Sequence, residues 1–123
     1  MKYMCIVKGP EIPMTKVPPA LMQAIGALTA ESMERGEFVL AGGLESTASA
    51  TAISIRNGKL VVTDGPFTEA KEVVGGFAIF NCPSREVAIE RAKAFMDLHI
   101  KHWPGWEGTC EVRLMMEPMQ APT

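Results

Sequence analysis

Apolar and polar residues alternate along this chain in short segments that predict six strands and two helices. The strand-like segments are short, and several are apolar at every position. Within Thr51 to Thr63, Ile53 and Ile55 alternate before an Asn57-Gly58 pair, which is a strong signal for a tight hairpin turn. The predicted strands are Lys2 to Lys8, Glu37 to Leu44, the two arms of this hairpin, Val73 to Cys82 and Thr109 to Glu117.

Two further segments have the period of an amphipathic helix. From Pro19 to Arg35, Leu21, Ile25 and Leu28 fall on one face, and Gly36 follows as a residue type that ends helices. The second helix has a capping serine, then an apolar stripe, then a terminating proline and glycine: Ser84, Ala88, Ala92, Phe95, His99, Trp103, Pro104 and Gly105.

The order strand, helix, strand, hairpin, strand, helix, strand predicts a ferredoxin-like α+β fold, with a hairpin inserted after the second core strand of an antiparallel sheet. Right-handed crossovers place both helices on the same face of that sheet. A chain of 123 residues is enough for one domain. We assign the domain to residues 1–117 and a C-terminal tail to residues 118–123.

Two helices cover only one face of such a sheet, yet the first strand and the strand around Phe77 are apolar on both faces. An antiparallel sheet with one face in water should alternate apolar and polar residues. A second copy of the chain, packing its own sheet against the open face, is the simplest cover. We therefore predict a homodimer; the alternative is a monomer whose hairpin folds over the open face.

Composition narrows the classes of function. The net charge is −2, from 12 basic and 14 acidic residues, and no basic stripe is present, which argues against nucleic-acid binding. No apolar run approaches a membrane span and the first residues do not resemble a signal peptide, so we expect a cytoplasmic protein without a membrane partner. Cys5, Cys82 and Cys110 are expected to be buried, reduced thiols. No nucleotide- or metal-binding motif is present, so we predict no cofactor and no metal site.

The stretch from Asp64 to Phe80 reads DGPFTEAKEVVGGFAIF, which is a turn, a short charged run and a strand. It closely resembles the signature of the YCII-related family in its DGPF branch, where DGPF is followed by Glu, Lys-Glu, Gly-Gly and an aromatic residue. The resemblance implies a dimeric α+β barrel, which agrees with the homodimer predicted from the two apolar faces. It implies no particular reaction, because the family is largely uncharacterised.

Asp64 is the first residue that the signature suggests as a functional group. It would be a general base or polar anchor at the mouth of a cleft, or else a structural residue whose carboxylate accepts backbone N–H bonds in an Asx turn. Glu69, Lys71 and Glu72 match the charged positions of the signature. They either line the cleft or form a solvated segment with local ion pairs. Ala70 departs from the family pattern, which often has a small hydroxyl residue there.

Alternation in the last strand places Cys110 and Val112 under the helices and Glu111 and Arg113 on the opposite face. A guanidinium group in the space between two sheets needs a partner, because an unpaired buried charge is very costly. Arg113 would therefore pair with Glu111 or a signature carboxylate, or bind the carboxylate or phosphate of a ligand.

A pair of histidines and a pair of tryptophans lie near the end of the second helix, and each pair has a structural and a functional interpretation. His99 and His102 form an HxxH pair, but no second ligand cluster accompanies them, so we expect His99 to be a buried histidine at the edge of the core. Trp103 and Trp106 form either an aromatic lip to a pocket or a staple at the helix end, and we favour the staple.

Three functions remain open. The first, which we favour, is binding of a small molecule, with an anionic one as a candidate, in a cleft between sheet and helix that Asp64 and Arg113 line. The second is a cofactor-independent enzyme, since barrels related to the family include monooxygenases and isomerases. The third is a non-catalytic regulatory or interaction module.

Overall fold

The structure is a computed structural model, and it describes residues 1–67 and 69–116. The last residue of the final predicted strand, residue 117, and the predicted tail at 118–123 lie outside the described residues. The elements are β1 (Lys2–Gly9), α1 (Pro19–Glu34), β2 (Phe38–Gly43), β3 (Thr51–Arg56), β4 (Lys59–Asp64), β5 (Val73–Asn81), α2 (Arg85–His102) and β6 (Thr109–Leu114), with short 3-10 turns at Met14–Lys16 and Thr47–Ser49.

Four of these strands form one antiparallel sheet in the order β2-β5-β1-β6. β5 pairs with both β1 and β2, and β6 pairs with the other edge of β1. α1 therefore connects two parallel strands that have β5 between them, and α2 connects two parallel strands that have β1 between them. The helices pack against each other and against this sheet. This is the ferredoxin-like α+β arrangement, so the predicted fold class is confirmed.

The residues at the helix ends explain where each helix starts and stops. α1 begins at Pro19, whose missing N–H is not needed in the first turn, and Gly36 follows the helix with a φ of 71°. α2 begins after Ser84, whose Oγ accepts a hydrogen bond of 3.2 Å from the N–H of Val87. Both helices start where the sequence predicts. In the described part of the chain, neither is long and apolar enough to cross a membrane.

The tightest packing lies between the sheet and α2. Tyr3, Cys82 and Ala88 form one buried cluster, and Phe80 and Val112 pack against it. Along α1 the packing is more open: Leu21 is 1% exposed, whereas the other large apolar side chains of that helix are half-buried or exposed. The looser side of the core is where a cavity lies, as described below.

β3 and β4 form a separate two-stranded sheet, which confirms the predicted hairpin. Asn57 and Gly58 at its turn have φ values of 51° and 74°, as a type I′ turn requires. Four of the five large apolar side chains of the hairpin share one face through direct cross-strand pairing. They are 63–74% exposed, so this face does not cover the four-stranded sheet: Ile53, Ile55, Leu60 and Val62.

The face of the four-stranded sheet opposite the helices, which we call the open face, has an apolar centre. The register places Met4 and Ile6 of β1 beside Ile79 and Phe77 of β5, and all four side chains are half-buried. Leu40 of β2, beside Ile79, is 53% exposed. Within residues 1–67 and 69–116, no element covers this face.

Candidate functional site

A cavity of about 430 Å³ lies between the helices and the four-stranded sheet. Its size is in the range of small-molecule binding sites, roughly 300–1,000 Å³. Side chains of β1 form part of its floor, and side chains of α1 and α2 form its walls. We call it the sheet–helix cavity; its apolar lining includes Val7, Leu21, Ile25, Leu28 and Phe95.

Two thiols add to the apolar lining. Cys5 and Cys110 lie on neighbouring strands and both line the cavity. The hydrogen bond with Cys110, together with burial, raises the pKa of the Cys5 thiol, so that group is uncharged at neutral pH. Cys5, Cys82 and Cys110 are all free. Cys5 and Cys82 are buried, as the sequence predicts, whereas Cys110 is only half-buried.

Aromatic rings close one end of the cavity. Trp103 follows the last residue of α2, and its ring stacks on that of Trp106 with 5.8 Å between centroids. The indole ring of Trp106 packs directly against Gly9 and Gly108. A Cβ at either position would collide with the ring, so this close packing requires glycine. Both tryptophans line the cavity. The pair is therefore a staple at the helix end, and it also forms an aromatic lip.

His99 is a buried polar side chain at this aromatic end, with 7% of its surface exposed. Its Nδ1 lies 3.1 Å from the carbonyl oxygen of Phe95, and because a carbonyl can only accept, Nδ1 carries the proton. The ring packs against Phe95 and Trp106, with centroid distances of 4.8 and 4.7 Å. Burial lowers the pKa of His99, so the ring is neutral at pH 7. The prediction of a buried histidine is confirmed.

Glu11 also lines the cavity and fixes part of its rim. It lies in the long loop after β1, and its carboxylate accepts hydrogen bonds from Ser46 Oγ at 2.8 Å and from Thr47 Oγ1 at 2.6 Å. The backbone N–H of Thr47 donates to the same carboxylate. The bonds from Thr47 and Ser46 lower the pKa of Glu11, which is therefore ionised at neutral pH. The loop and the second 3-10 turn are thus held together at the rim.

The signature turn packs against the same 3-10 turn. The N–H of Gly65 donates to the carbonyl of Ala50 at 2.7 Å, and a Cβ at Gly65 would collide with the backbone oxygen of Thr47. The N–H of Phe67 donates to Thr47 Oγ1 at 3.1 Å. Because the same hydroxyl donates to Glu11, Thr47 connects the signature turn to the rim of the cavity.

The two arginines at the cavity are both paired. Arg91 of α2 donates two hydrogen bonds to the carboxylate of Glu37, at 2.7 and 2.8 Å, and Arg35 Nε lies 3.2 Å from the same carboxylate. The hydrogen bond from Arg91 lowers the pKa of Glu37 and raises that of Arg91. The Glu37 side chain is 13% exposed. These guanidinium groups are therefore bound to a carboxylate of the protein itself.

Asp64 and Arg113, the two residues that the sequence places in a cleft, are not among those that line the sheet–helix cavity. Asp64 ends β4, is exposed, and its Oδ1 accepts a hydrogen bond of 3.0 Å from Thr51 Oγ1. Arg113 is 67% exposed on the open face, where its Nε lies 3.6 Å from Glu111; Glu111 also pairs with Lys8 at 2.5 Å. The structure does not bring Asp64 and Arg113 together at the cavity, and their functional roles stay predictions.

The three other charged residues of the signature are exposed in the segment that precedes β5. Glu72 borders a second depression, together with Trp103 and Trp106. Glu69 and Lys71 line neither this depression nor the sheet–helix cavity. Their roles in ligand binding also stay predictions.

Sequence reasoning missed Glu11, Glu37 and Thr47. Glu11 and Thr47 are 36 positions apart, and no local spacing predicts a contact between them. The one available signal was the unusual length of the proline-rich loop that carries Glu11, since long loops in compact domains are often functional. Glu37 had a weaker signal, because an acidic residue two positions after Arg35 can pair locally.

The sheet, the inserted hairpin and the cavity beneath the helices define a ferredoxin-like α+β protein with a small-molecule-sized site. The YCII-related domain matches residues 1–96, so the chain belongs to the YCII-related family, and the family predicted from Asp64 to Phe80 is confirmed. The chain is 30% identical over 73 residues to an uncharacterized protein of Rhizobium meliloti (strain 1021). That match covers 59% of this chain and 59% of the relative's length.

Proposed function

We propose that the protein binds a small, largely apolar molecule in the sheet–helix cavity. The observation that carries this proposal is the cavity itself, with a volume of about 430 Å³. Protein interiors are close-packed, and voids much larger than a water molecule are few. An apolar space of this size, bordered by aromatic rings and by a hydrogen-bonded rim, therefore favours a bound ligand over a packing defect.

The charges around the cavity favour a neutral ligand over an anionic one. Arg35 and Arg91 are engaged by Glu37, and the rim carries the carboxylates of Glu11 and Glu45. An anionic ligand would meet these carboxylates without a free guanidinium group to offset them. A neutral ligand has no such penalty and gains from the apolar lining.

We also propose that the protein acts as a homodimer joined through the open face. Met4, Ile6, Phe77 and Ile79 form a contiguous apolar centre there, and Leu40 extends it. Two copies of this face would bury their apolar side chains against each other in an isologous contact. The row formed by Lys8, Glu111 and Arg113 lies beside the apolar centre and would set the register of the two sheets.

Thermal unfolding in the presence of 4-propylphenol tests the binding proposal. At ten times its Kd, a ligand that binds only the folded state adds about 1.4 kcal/mol of stability, which raises Tm by a few degrees. Ile25→Trp puts a larger side chain into the cavity wall and is expected to weaken binding at least about fivefold. Ile100→Trp is the control, because Ile100 is 76% exposed and does not line the cavity.

The expected result is a dose-dependent rise in Tm for the wild type and for Ile100→Trp, with a much smaller rise for Ile25→Trp. Equal rises in Tm for all three proteins would show that the probe binds elsewhere. The absence of any rise in Tm up to millimolar probe would contradict binding in the cavity.

A further inference from the structure

We infer that the ligand of the sheet–helix cavity carries a hydroxyl group on an otherwise apolar framework, and that Nε2 of His99 accepts a hydrogen bond from that hydroxyl. This inference rests on the proposed function and names the chemical class of its ligand, a phenol or an apolar alcohol. Nothing in the signature of the family points to His99, which lies far along the chain in the last two turns of α2.

The hydrogen bond to Phe95 decides which nitrogen of His99 is free. Nδ1 lies 3.1 Å from the carbonyl oxygen of Phe95, one helical turn earlier, and donates its proton to it. The ring is neutral because burial lowers its pKa. In a neutral imidazole with a proton on Nδ1, Nε2 holds a lone pair and acts only as an acceptor.

The surroundings of His99 show that this acceptor meets open space. Across residues 1–67 and 69–116, no fully enclosed side-chain nitrogen or oxygen lacks a hydrogen-bond partner. Nε2 has no partner among these residues, so it is not enclosed by protein atoms. His99 is only 7% exposed overall and lines the sheet–helix cavity. We therefore take this cavity to be the space that Nε2 meets.

An acceptor at the end of an apolar cavity selects its ligand. The groups packed around it are the rings of Phe95 and Trp106, which leave an apolar framework the best fit. A carboxylate or a carbonyl group of a ligand would place its own oxygen lone pair against the lone pair of Nε2, and the two would repel each other. A hydroxyl donates the single proton that Nε2 lacks, and a buried acceptor that gains a donor removes the penalty of an unpaired polar group.

Two probes of the same shape separate this inference from the proposed function: 4-propylphenol, and 4-propyltoluene, in which a methyl group replaces the hydroxyl. Binding is measured with the full chain by calorimetry and by the shifts of the Trp103 and Trp106 indole N–H signals. The variants are His99→Phe, which removes the acceptor but keeps a ring, and His102→Phe, a control at a half-buried histidine on the same helix that does not line the cavity.

The quantity that decides is the ratio of the two dissociation constants, because it cancels any general effect of a variant on the cavity. In the wild type and in His102→Phe the ratio should favour the phenol equally. In the His99→Phe variant, the preference for 4-propylphenol over 4-propyltoluene should fall by about five- to thirtyfold, as the loss of one hydrogen bond in an apolar site predicts. The same ratio in all three proteins, with both probes bound, would overturn the role of His99 and leave the proposed function standing. Failure of both probes to bind the wild type would overturn the two together.

A measurement on the wild type keeps the inference testable if His99→Phe does not fold. Nitrogen-15 NMR of the His99 ring should show one protonated nitrogen, Nδ1, and one unprotonated nitrogen, Nε2. Addition of 4-propylphenol should shift the Nε2 resonance, and addition of 4-propyltoluene should leave it in place. A bound phenol that perturbs the tryptophan signals without moving Nε2 would contradict the inference.

Discussion

At the scale of single residues, two glycines show how differently the same substitution acts in this protein. Gly65 of the signature turn has the backbone oxygen of Thr47 where a Cβ would stand, and backbone cannot move aside as a flexible side chain can. Gly26, in an exposed position inside α1, has nothing within 4 Å of the place that its Cβ would take, apart from its chain neighbours and the backbone of its own helix. The first glycine is required by packing, and the second only weakens the helix.

Gly65→Ala is therefore expected to lower the free energy of unfolding by about 2 kcal/mol or more, because the turn must separate from Thr47. Gly26→Ala is expected to raise it by about 0.5–1 kcal/mol, since alanine is the better helix former. Urea unfolding of both variants measures these values. Similar effects of the two substitutions would mean that the signature turn does not rest on Thr47.

At the scale of elements, Glu37 joins three of them. It stands between α1 and β2, and its carboxylate holds Arg91 of α2 with two hydrogen bonds while Arg35 at the end of α1 lies 3.2 Å away. Charge-assisted pairs with this geometry and partial burial are the ones that contribute measurably to stability. The Glu90–Lys93 pair on the exposed surface of α2, at 3.5 Å and about two-thirds exposed, provides the contrast.

Glu37→Gln is expected to lower the free energy of unfolding at pH 7 by about 1.5–3 kcal/mol, and Glu90→Gln by less than about 0.5 kcal/mol. The pKa of Glu37 is lower in the folded state, so its contribution is complete above the unfolded pKa of about 4.3 and is lost as pH falls through the folded value. Urea unfolding from pH 7 to pH 3 should show the wild type and Glu37→Gln converging in acid. A difference that stays constant with pH would contradict the ion pair.

The elements themselves were predictable, and the site largely was not. Short apolar runs located the strands, and helical spacing located the helices, because burial imposes such patterns on a sequence. The Asn57-Gly58 turn and the Ser84 cap followed from backbone chemistry within a few residues. The cavity rim depends on Glu11 reaching Thr47, and the pairing of Arg91 depends on its reaching Glu37. Both contacts are set by how the elements pack. Local patterns carry no information about such distant pairs.

At the scale of the whole molecule, the open face tests the proposed dimer. Leu40→Lys places a charge beside Ile79 in its apolar centre, and Ile100→Lys places the same charge at an exposed position of α2. A dimer joined through the open face should dissociate with Leu40→Lys, because an unpaired charge would be buried at the contact, and should survive Ile100→Lys. Light scattering after size-exclusion chromatography gives the masses. A wild type with the mass of one chain would exclude the dimer.

The proposed function depends on the sheet–helix cavity, and the two tryptophans of the chain report directly on that cavity. Both tryptophans line the cavity, so the two indole N–H signals in a nitrogen–proton correlation spectrum report on that space. On titration with 4-propylphenol, both signals should shift and saturate at one probe per chain, while the amide of Gly58 in the hairpin turn stays unchanged. Indole signals that remain fixed up to millimolar probe, or that shift in proportion to probe without saturating, would contradict binding in the cavity.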